Sequence, residues 1–134
     1  MLQRAFVRRS GSSGSSQSRP EVTGVMMARS DPGHLGELML YTIPATAGVQ
    51  APDFVHSEMR KDDQLTDFVK EKLGSVVSFG QMTLLLVDDT VIYVRPVYVE
   101  ANSVNAVPEL SRVIVVNGDN IQMGATLQEA MARL

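Results

Sequence analysis

Apolar residues in the first third of the chain fall into two short blocks that predict strands. Residues 25–28 and 37–44 flank the sequence Ser-Asp-Pro-Gly-His at 30–34, where Pro fixes φ and Gly reaches conformations that other residues avoid. In the second block both faces are apolar, with Leu38 and Leu40 on one and Met39 and Tyr41 on the other. The pattern predicts a β-hairpin.

The second half of the chain carries further apolar runs that are separated by turn residues. Strands are predicted at 76–79, 82–87, 91–99, 112–116 and 121–123, and the last two flank the hairpin-type turn Asn-Gly-Asp-Asn. A loop is predicted over 101–107. Because Pro96 has no N–H for a ladder hydrogen bond, the third of these strands should be broken, bulged or at an edge there.

Helical spacing occupies residues 52–74. Leu65, Phe68, Val69 and Leu73 recur at intervals that form one apolar stripe, and Gly74 is typical of a helix end. Two short helices that meet near Asp62 are favoured over one bent helix.

A terminal helix is predicted at 126–134. Thr126 and Glu129 have the spacing of a capping box, and the apolar residues that follow lie on one face. The elements together indicate an α+β fold, with a mostly antiparallel sheet of about five to seven strands.

Residues 1–20 differ from the rest of the chain. They contain four arginines, no acidic residue and a Gly/Ser run over 10–16, so we expect a flexible tail or linker followed by a single α+β domain over 21–134. The arginines could contact anionic lipid or nucleic acid, but a solvated tail explains them as well.

Composition excludes several classes of function. The net charge is −3, aromatic residues make up 5% of the chain and Trp is absent, which argues against nucleic-acid binding. Without cysteine there are no disulfides, thiolate nucleophiles or Cys-based metal sites. No apolar run approaches the roughly 18–20 residues that span a bilayer, and the first residues do not resemble a secretory signal, so the chain by itself is expected to be soluble.

No familiar catalytic motif is present. The glycines form neither a nucleophile elbow nor a phosphate loop. His34 lies in the Pro-Gly turn and His56 on the side of its helix expected to face solvent, so each is interpreted as a solvated histidine rather than a metal ligand. The acids of the helical segment, including Asp62 and Asp63, alternate with Lys and Arg as on a charged solvent face. We therefore predict no catalytic residues, cofactor or metal ligands.

Arg95 stands out because it lies inside an apolar strand. It could bind a buried anion or a partner, or its methylene stem could cover apolar neighbours while the charge reaches solvent. Together with Tyr98 and Glu100 it defines the candidate partner surface, on which a partner strand could be added at a sheet edge.

Several segments resemble a bacterial uncharacterised protein family (UPF) of large multi-pass membrane proteins. The most specific are residues 93–99 (YVRPVYV), 108–115 (PELSRVIV) and 124–130 (GATLQEA), and the similarity covers residues 20–134. The chain is similar to a late segment of the long soluble region of that family, but the membrane-spanning part is missing and the Gly/Ser run replaces a less repetitive loop. The resemblance implies association with a membrane through a parent protein, with the soluble part on the extracytoplasmic side. It supplies no catalytic residues.

Two main hypotheses follow. The first is a non-catalytic interaction or structural domain of an envelope-associated membrane protein, whose partners are other regions of that protein or other envelope proteins. The alternative is an enzyme, or a domain that binds a small ligand or cation, with its site between helix 52–74 and the sheet and with Asp62 and Asp63 at the mouth. Nucleic-acid binding through the arginine-containing tail is a third and weaker hypothesis.

Overall fold

The computed structural model describes residues 2–8 and 19–134, which contain eight strands and three helices. The strands are β1 (Leu2–Arg8), β2 (Glu21–Ala28), β3 (Leu38–Thr42), β4 (Ser75–Phe79), β5 (Thr83–Val87), β6 (Thr90–Ala101), β7 (Glu109–Asn117) and β8 (Asn120–Gly124). The helices are α1 (Pro52–Lys61), α2 (Asp63–Glu71) and α3 (Leu127–Ala132), and a 3₁₀ turn spans Ala45–Ala47. The predicted α+β class is confirmed.

The chain divides into two compact units, Met1–Val55 and His56–Leu134. The first contains a three-stranded antiparallel sheet in the order β1-β2-β3. The central strand β2 carries the buried side chains Val22 and Val25, and the hairpin of β2 and β3 sets Val25 opposite Tyr41. The hairpin predicted from the sequence is confirmed.

The flexible tail predicted over 1–20 is wrong for residues 2–8, which form β1. This strand pairs along β2 from Leu2 opposite Ala28 to Arg8 opposite Glu21, with a register shift after Phe6. Pairing with a neighbouring strand overrides the weak local preference of an arginine-containing segment. Residues 9–18, which hold the whole Gly/Ser run, lie outside the described residues. The first unit thus extends across the domain boundary that the sequence suggested at residue 20.

The second unit is built around β6, the longest strand. The strand β6 pairs with β7 on one side, while β4 and β5 share its other side, and β8 follows β7. β4 lies opposite residues 97–101 and β5 opposite residues 90–94. All of these pairings are antiparallel.

Helices pack against both faces of this five-stranded sheet. Ala130 of α3 is buried with Ile92, Val113 and Val115 on one face. Since side chains alternate along a strand, Arg112 and Ile114 belong to the other face. There the Arg112 guanidinium lies 4.9 Å from the centre of the Phe68 ring of α2.

The predicted helical segment consists of two helices, as expected. Asp62 lies between them in an extended conformation, and its side chain accepts a hydrogen bond from the Gln64 N–H. It is therefore the N-cap of α2, whose buried residues are Leu65 and Phe68. The predicted cap of the terminal helix is also present, because Glu129 N–H donates to Thr126 Oγ1 at 3.1 Å. The Glu129 carboxylate accepts in return from the N–H of Ala125, one residue before the N-cap.

Pro96 lies within a continuous strand, next to an irregularity in its pairing. It is opposite Val113 of β7, and the register with β7 shifts between Val97 and Tyr98. On the other side of β6, Pro96 falls in the gap between the regions paired with β4 and β5. Of the three alternatives that the sequence left open, β6 is neither broken nor at an edge at Pro96. The irregularity in its pairing lies one residue beyond Pro96, where Ser111 of β7 is the extra residue.

Candidate functional site

The Arg95 side chain is held by contacts with other residues instead of projecting freely into solvent. Its Nε donates to the backbone oxygen of Gly80 at 3.1 Å, and its Nη1 is hydrogen-bonded to Nδ1 of His56. The guanidinium also lies over the Phe79 ring, 5.1 Å from the ring centre. The side chain is half-buried, so its charge is held in place by a carbonyl, an imidazole and an aromatic ring.

His56 differs from the expectation of a solvated histidine. It is half-buried, and its ring meets Phe79 edge-on at a centroid distance of 6.3 Å. Val55 and Met59 form the buried stripe of α1. One residue beyond Val55, His56 is turned by about 100° around the helix axis and stands at the border of that stripe. Such border positions are the ones for which a helical pattern predicts burial least well.

Arg60 brings a second positive charge near Arg95. It follows His56 by four residues and therefore lies on the same side of α1. Burial lowers the pKa of Arg95, and the charge of Arg60 lowers it further. Within the part of the chain that the structure describes, no carboxylate forms an ion pair with Arg60 or Arg95. We call His56, Arg60, Phe79 and Arg95 the Arg95 cluster.

The structure separates Arg95 from the other two residues of the predicted partner surface. Side chains alternate along β6, so Tyr98 and Glu100 project from the face opposite to that of Arg95. Both are half-exposed, and they lie opposite Ser78 and Val76 of β4. Strand addition to this segment is also wrong, because β6 has neighbours on both sides.

The acidic residues of the alternative hypothesis have local structural roles. Asp62 caps α2, and Asp63 is an exposed residue of its first turn. His34 is exposed as well, and its Nδ1 atom lies 3.0 Å from Oε1 of Glu37. Among the described residues there is no group of three or more His, Asp or Glu side chains that could hold a metal ion.

An open cleft of about 500 Å³ lies beside the end of β6, beyond the C-terminal end of α2. Its wall combines apolar side chains with serines and with two charged residues, Lys72 and Glu109. The other lining residues come from the starts of β4 and β7, the end of β6 and the loop between β6 and β7: Ser75, Val99, Ala101, Ser103, Ala106, Val107, Leu110 and Ser111.

A further feature is the apolar surface of the β3 hairpin, which was not identified from the sequence as functional. Leu38 is 67% exposed and Leu40 59% on one face of β3, while Met39 and Tyr41 are 38% and 37% exposed on the other. The preceding turn adds Leu35 at 82%. We call Leu35, Leu38, Met39, Leu40 and Tyr41 the β3 surface. The signal was visible in the sequence, because a strand that is apolar on both faces is typically covered on both.

The β3 surface is also a sheet edge. Within the described residues, β3 pairs only with β2, so the peptide groups along its outer side have no strand partner there. Exposed edges of this kind are templates for pairing with another segment.

No helix in the described regions combines the length and the apolar character needed to cross a bilayer.

Comparison with known proteins shows a consistent set of relatives. A UPF0182 protein of Desulfitobacterium hafniense is 34% identical over 125 residues, which are 92% of this chain and 13% of the relative. A UPF0182 protein of Thermosynechococcus vestitus is 32% identical over 119 residues, 87% of this chain and 12% of that protein. A UPF0182 protein of Syntrophobacter fumaroxidans is 28% identical over 122 residues, 90% of this chain and 14% of its own length.

The chain therefore spans about one eighth of the length of these relatives. No family profile matches it, and no solved structure is similar to it.

Proposed function

Because the chain belongs to the UPF0182 family, as the counterpart of one segment of much longer proteins, we propose that it is a non-catalytic interaction module of such a protein. The proposal includes an envelope-associated membrane protein as the parent, with this region on the extracytoplasmic side, as the sequence resemblance implies. The β3 surface is the contact through which the module docks.

The exposure of β3 is the observation that carries this proposal. Leu38 and Leu40 expose most of their side-chain surface at the edge of a sheet. Complete burial of one Leu side chain stabilises a complex or a fold by roughly 1.5–3 kcal/mol. A strand with large apolar residues on both faces and an unpaired edge therefore gains both apolar burial and backbone hydrogen bonds when a partner covers it.

The occupant that fits this edge is an extended apolar segment from another region of the same longer protein. Strand addition would use the outer peptide groups of β3 for affinity and its alternating side chains for specificity. A charged segment would not fit as well, because the exposed residues of β3 itself carry no charge.

Overlapping peptides that cover the Desulfitobacterium relative outside the matched residues provide a direct test. Saturable binding of an extended apolar peptide is expected, with slowed hydrogen exchange at the amides of β3. Leu40→Lys should abolish this binding, because an ammonium group would be desolvated in the contact. Lys70→Gln, a change on the exposed side of α2, is the control that should bind normally. Binding that is equal in wild type and Leu40→Lys would refute the proposal.

The cleft beside β6 supports a second candidate, a small-ligand site. It lies between the C-terminal end of the helical segment and the sheet, where Lys72 approaches Ser75 and Val99. A ligand bound there only in the native state would raise the unfolding temperature. Metabolites that stabilise the wild type but not Val99→Phe, a change that fills the cleft, would support this function. Stabilisation that is unchanged in Val99→Phe would exclude the cleft.

A further inference from the structure

We infer that the Arg95 cluster is a binding site for a small oxyanion of the carboxylate or phosphate type, with Arg95 and Arg60 as its cationic ligands. This site is independent of the β3 surface and lies within the second unit of the chain.

Arg95 has more hydrogen-bond donors than its contacts in the fold use. A guanidinium carries five N–H donors in a planar fork. The Gly80 oxygen takes the donor on Nε, and His56 contacts Nη1. The hydrogen bonds of Arg95 leave Nη2, with two further donors, available on the outer edge of the group. An N–H group of Nη2 can therefore donate a charge-assisted hydrogen bond to an oxygen of a carboxylate or a phosphate.

The positive charges of Arg95 and Arg60 lack an opposite charge within the cluster. Arg95 is half-buried, and the positive charge of Arg60 is near enough to oppose its own. A partly desolvated charge is costly unless an opposite charge or several hydrogen bonds compensate it. Among the described residues no carboxylate pairs with either arginine. A bound anion would relieve the repulsion between the two arginines and supply the missing opposite charge.

The Arg95 side chain is already oriented by its neighbours. Arg95 is fixed from three directions, by the Gly80 oxygen, the Nδ1 atom of His56 and the Phe79 ring. Because its rotamers are already restricted, little side-chain entropy remains to be lost when an anion binds. Arg60 is exposed and can move toward the ligand.

The test is thermal unfolding in increasing inorganic phosphate, and separately in acetate, with sodium chloride holding the ionic strength constant. A saturable rise in unfolding temperature is expected for the wild type. Arg60→Gln and Arg95→Lys should each weaken the apparent affinity by at least tenfold. Lys61→Gln is the matched control, since it removes the same charge from the neighbouring exposed residue, which pairs with Glu58.

The variants distinguish a specific anion site from general stabilisation by phosphate. Phosphate also stabilises proteins generally by exclusion from their surface, so an equal rise in all variants would overturn the proposal, as would the absence of a saturable rise. If Arg95→Lys does not fold, Arg60→Gln decides alone, because Arg60 is exposed and its loss leaves the fold intact. A response to phosphate but not to acetate would assign the site to phosphate groups, and a response to acetate would assign it to carboxylates.

Discussion

Gly80 and Pro96 are in such close contact that a side chain at residue 80 would overlap the proline ring. The N–H of Gly80 donates to the Pro96 oxygen at 2.9 Å, and a Cβ at residue 80 would strike Cγ of Pro96 and lie 3.0 Å from the Tyr98 ring. The neighbouring residue Arg95 returns a hydrogen bond to the Gly80 oxygen. The link between β4 and β5 is thus attached to β6 at two consecutive residues.

The contact predicts that Gly80→Ala destabilises the protein. Added volume in a packed contact typically costs about 1–3 kcal/mol, because Pro96 is rigid and cannot turn aside. Urea unfolding would measure the loss. Ser78→Ala, at an exposed position of the neighbouring strand β4, should change stability by less than about 0.5 kcal/mol. Equal stability of the two variants would contradict the close contact.

Removal of the cap of α3 should weaken the C-terminal part of the second unit. Thr126→Ala deletes the oxygen that accepts from Glu129 N–H, and such a loss typically costs about 1 kcal/mol. Thr126→Ser keeps the hydroxyl and should retain most of the stability. The comparison is made by urea unfolding, with hydrogen exchange at the amide of Glu129 as the local measure. A Ser variant as unstable as the Ala variant would assign the effect to the lost methyl group instead.

Tyr93 should remain un-ionised in the folded protein at alkaline pH. Burial raises its pKa far above the ordinary value near 10, so the native state binds a proton that the unfolded state releases. The resulting stability is present below about pH 10 and is lost as the pH rises above it. Of the three tyrosines, Tyr93 should ionise only on unfolding, so the spectroscopic titration of the folded wild type should match that of folded Tyr93→Phe. Ionisation of all three in the folded wild type would refute this.

The turn between β2 and β3 should show an acid-dependent contact. Hydrogen bonding to Arg29 lowers the pKa of the Asp31 carboxyl. The contribution of this pair to stability is therefore present above the ordinary pKa of Asp and is lost as the pH falls through the lower folded value. An NMR titration of Asp31 would measure the pKa. In Arg29→Gln it should return toward the ordinary range, whereas Arg60→Gln should leave it unchanged.

Elements that depend on neighbouring residues in sequence could be predicted. The break between α1 and α2 follows from Asp62, whose side chain caps the second helix, and the start of α3 follows from Thr126 and Glu129. In both places the hydrogen bonds span only a few residues, so the sequence pattern contains the whole cause.

Features that depend on distant residues could not be predicted. The strand β1 forms because β2 lies beside it, more than ten residues away along the chain. The position of His56 depends on Phe79 and Arg95, which approach it only through the fold. Side-chain alternation along β6 is enough to place Arg95 and Tyr98 on opposite faces, but the contacts of Arg95 with Gly80 and His56 come from residues far away along the chain.

The pairing of both β4 and β5 with one side of β6 has a consequence for aggregation. β4 and β5 lie end to end along one side of β6, and Gly80 is hydrogen-bonded to Pro96 between them. Another polypeptide that pairs with this edge of the sheet would therefore meet two short strands instead of one long strand. The opposite edge of this sheet, at β8, is partly occupied too, since the Gln64 side chain donates to the Ile121 oxygen. Short and interrupted edges are a common protection against fibril growth. Self-association of this chain is therefore expected to begin at the first unit, and charged residues introduced into β3 should suppress it, whereas the same changes in β4 or β8 should not.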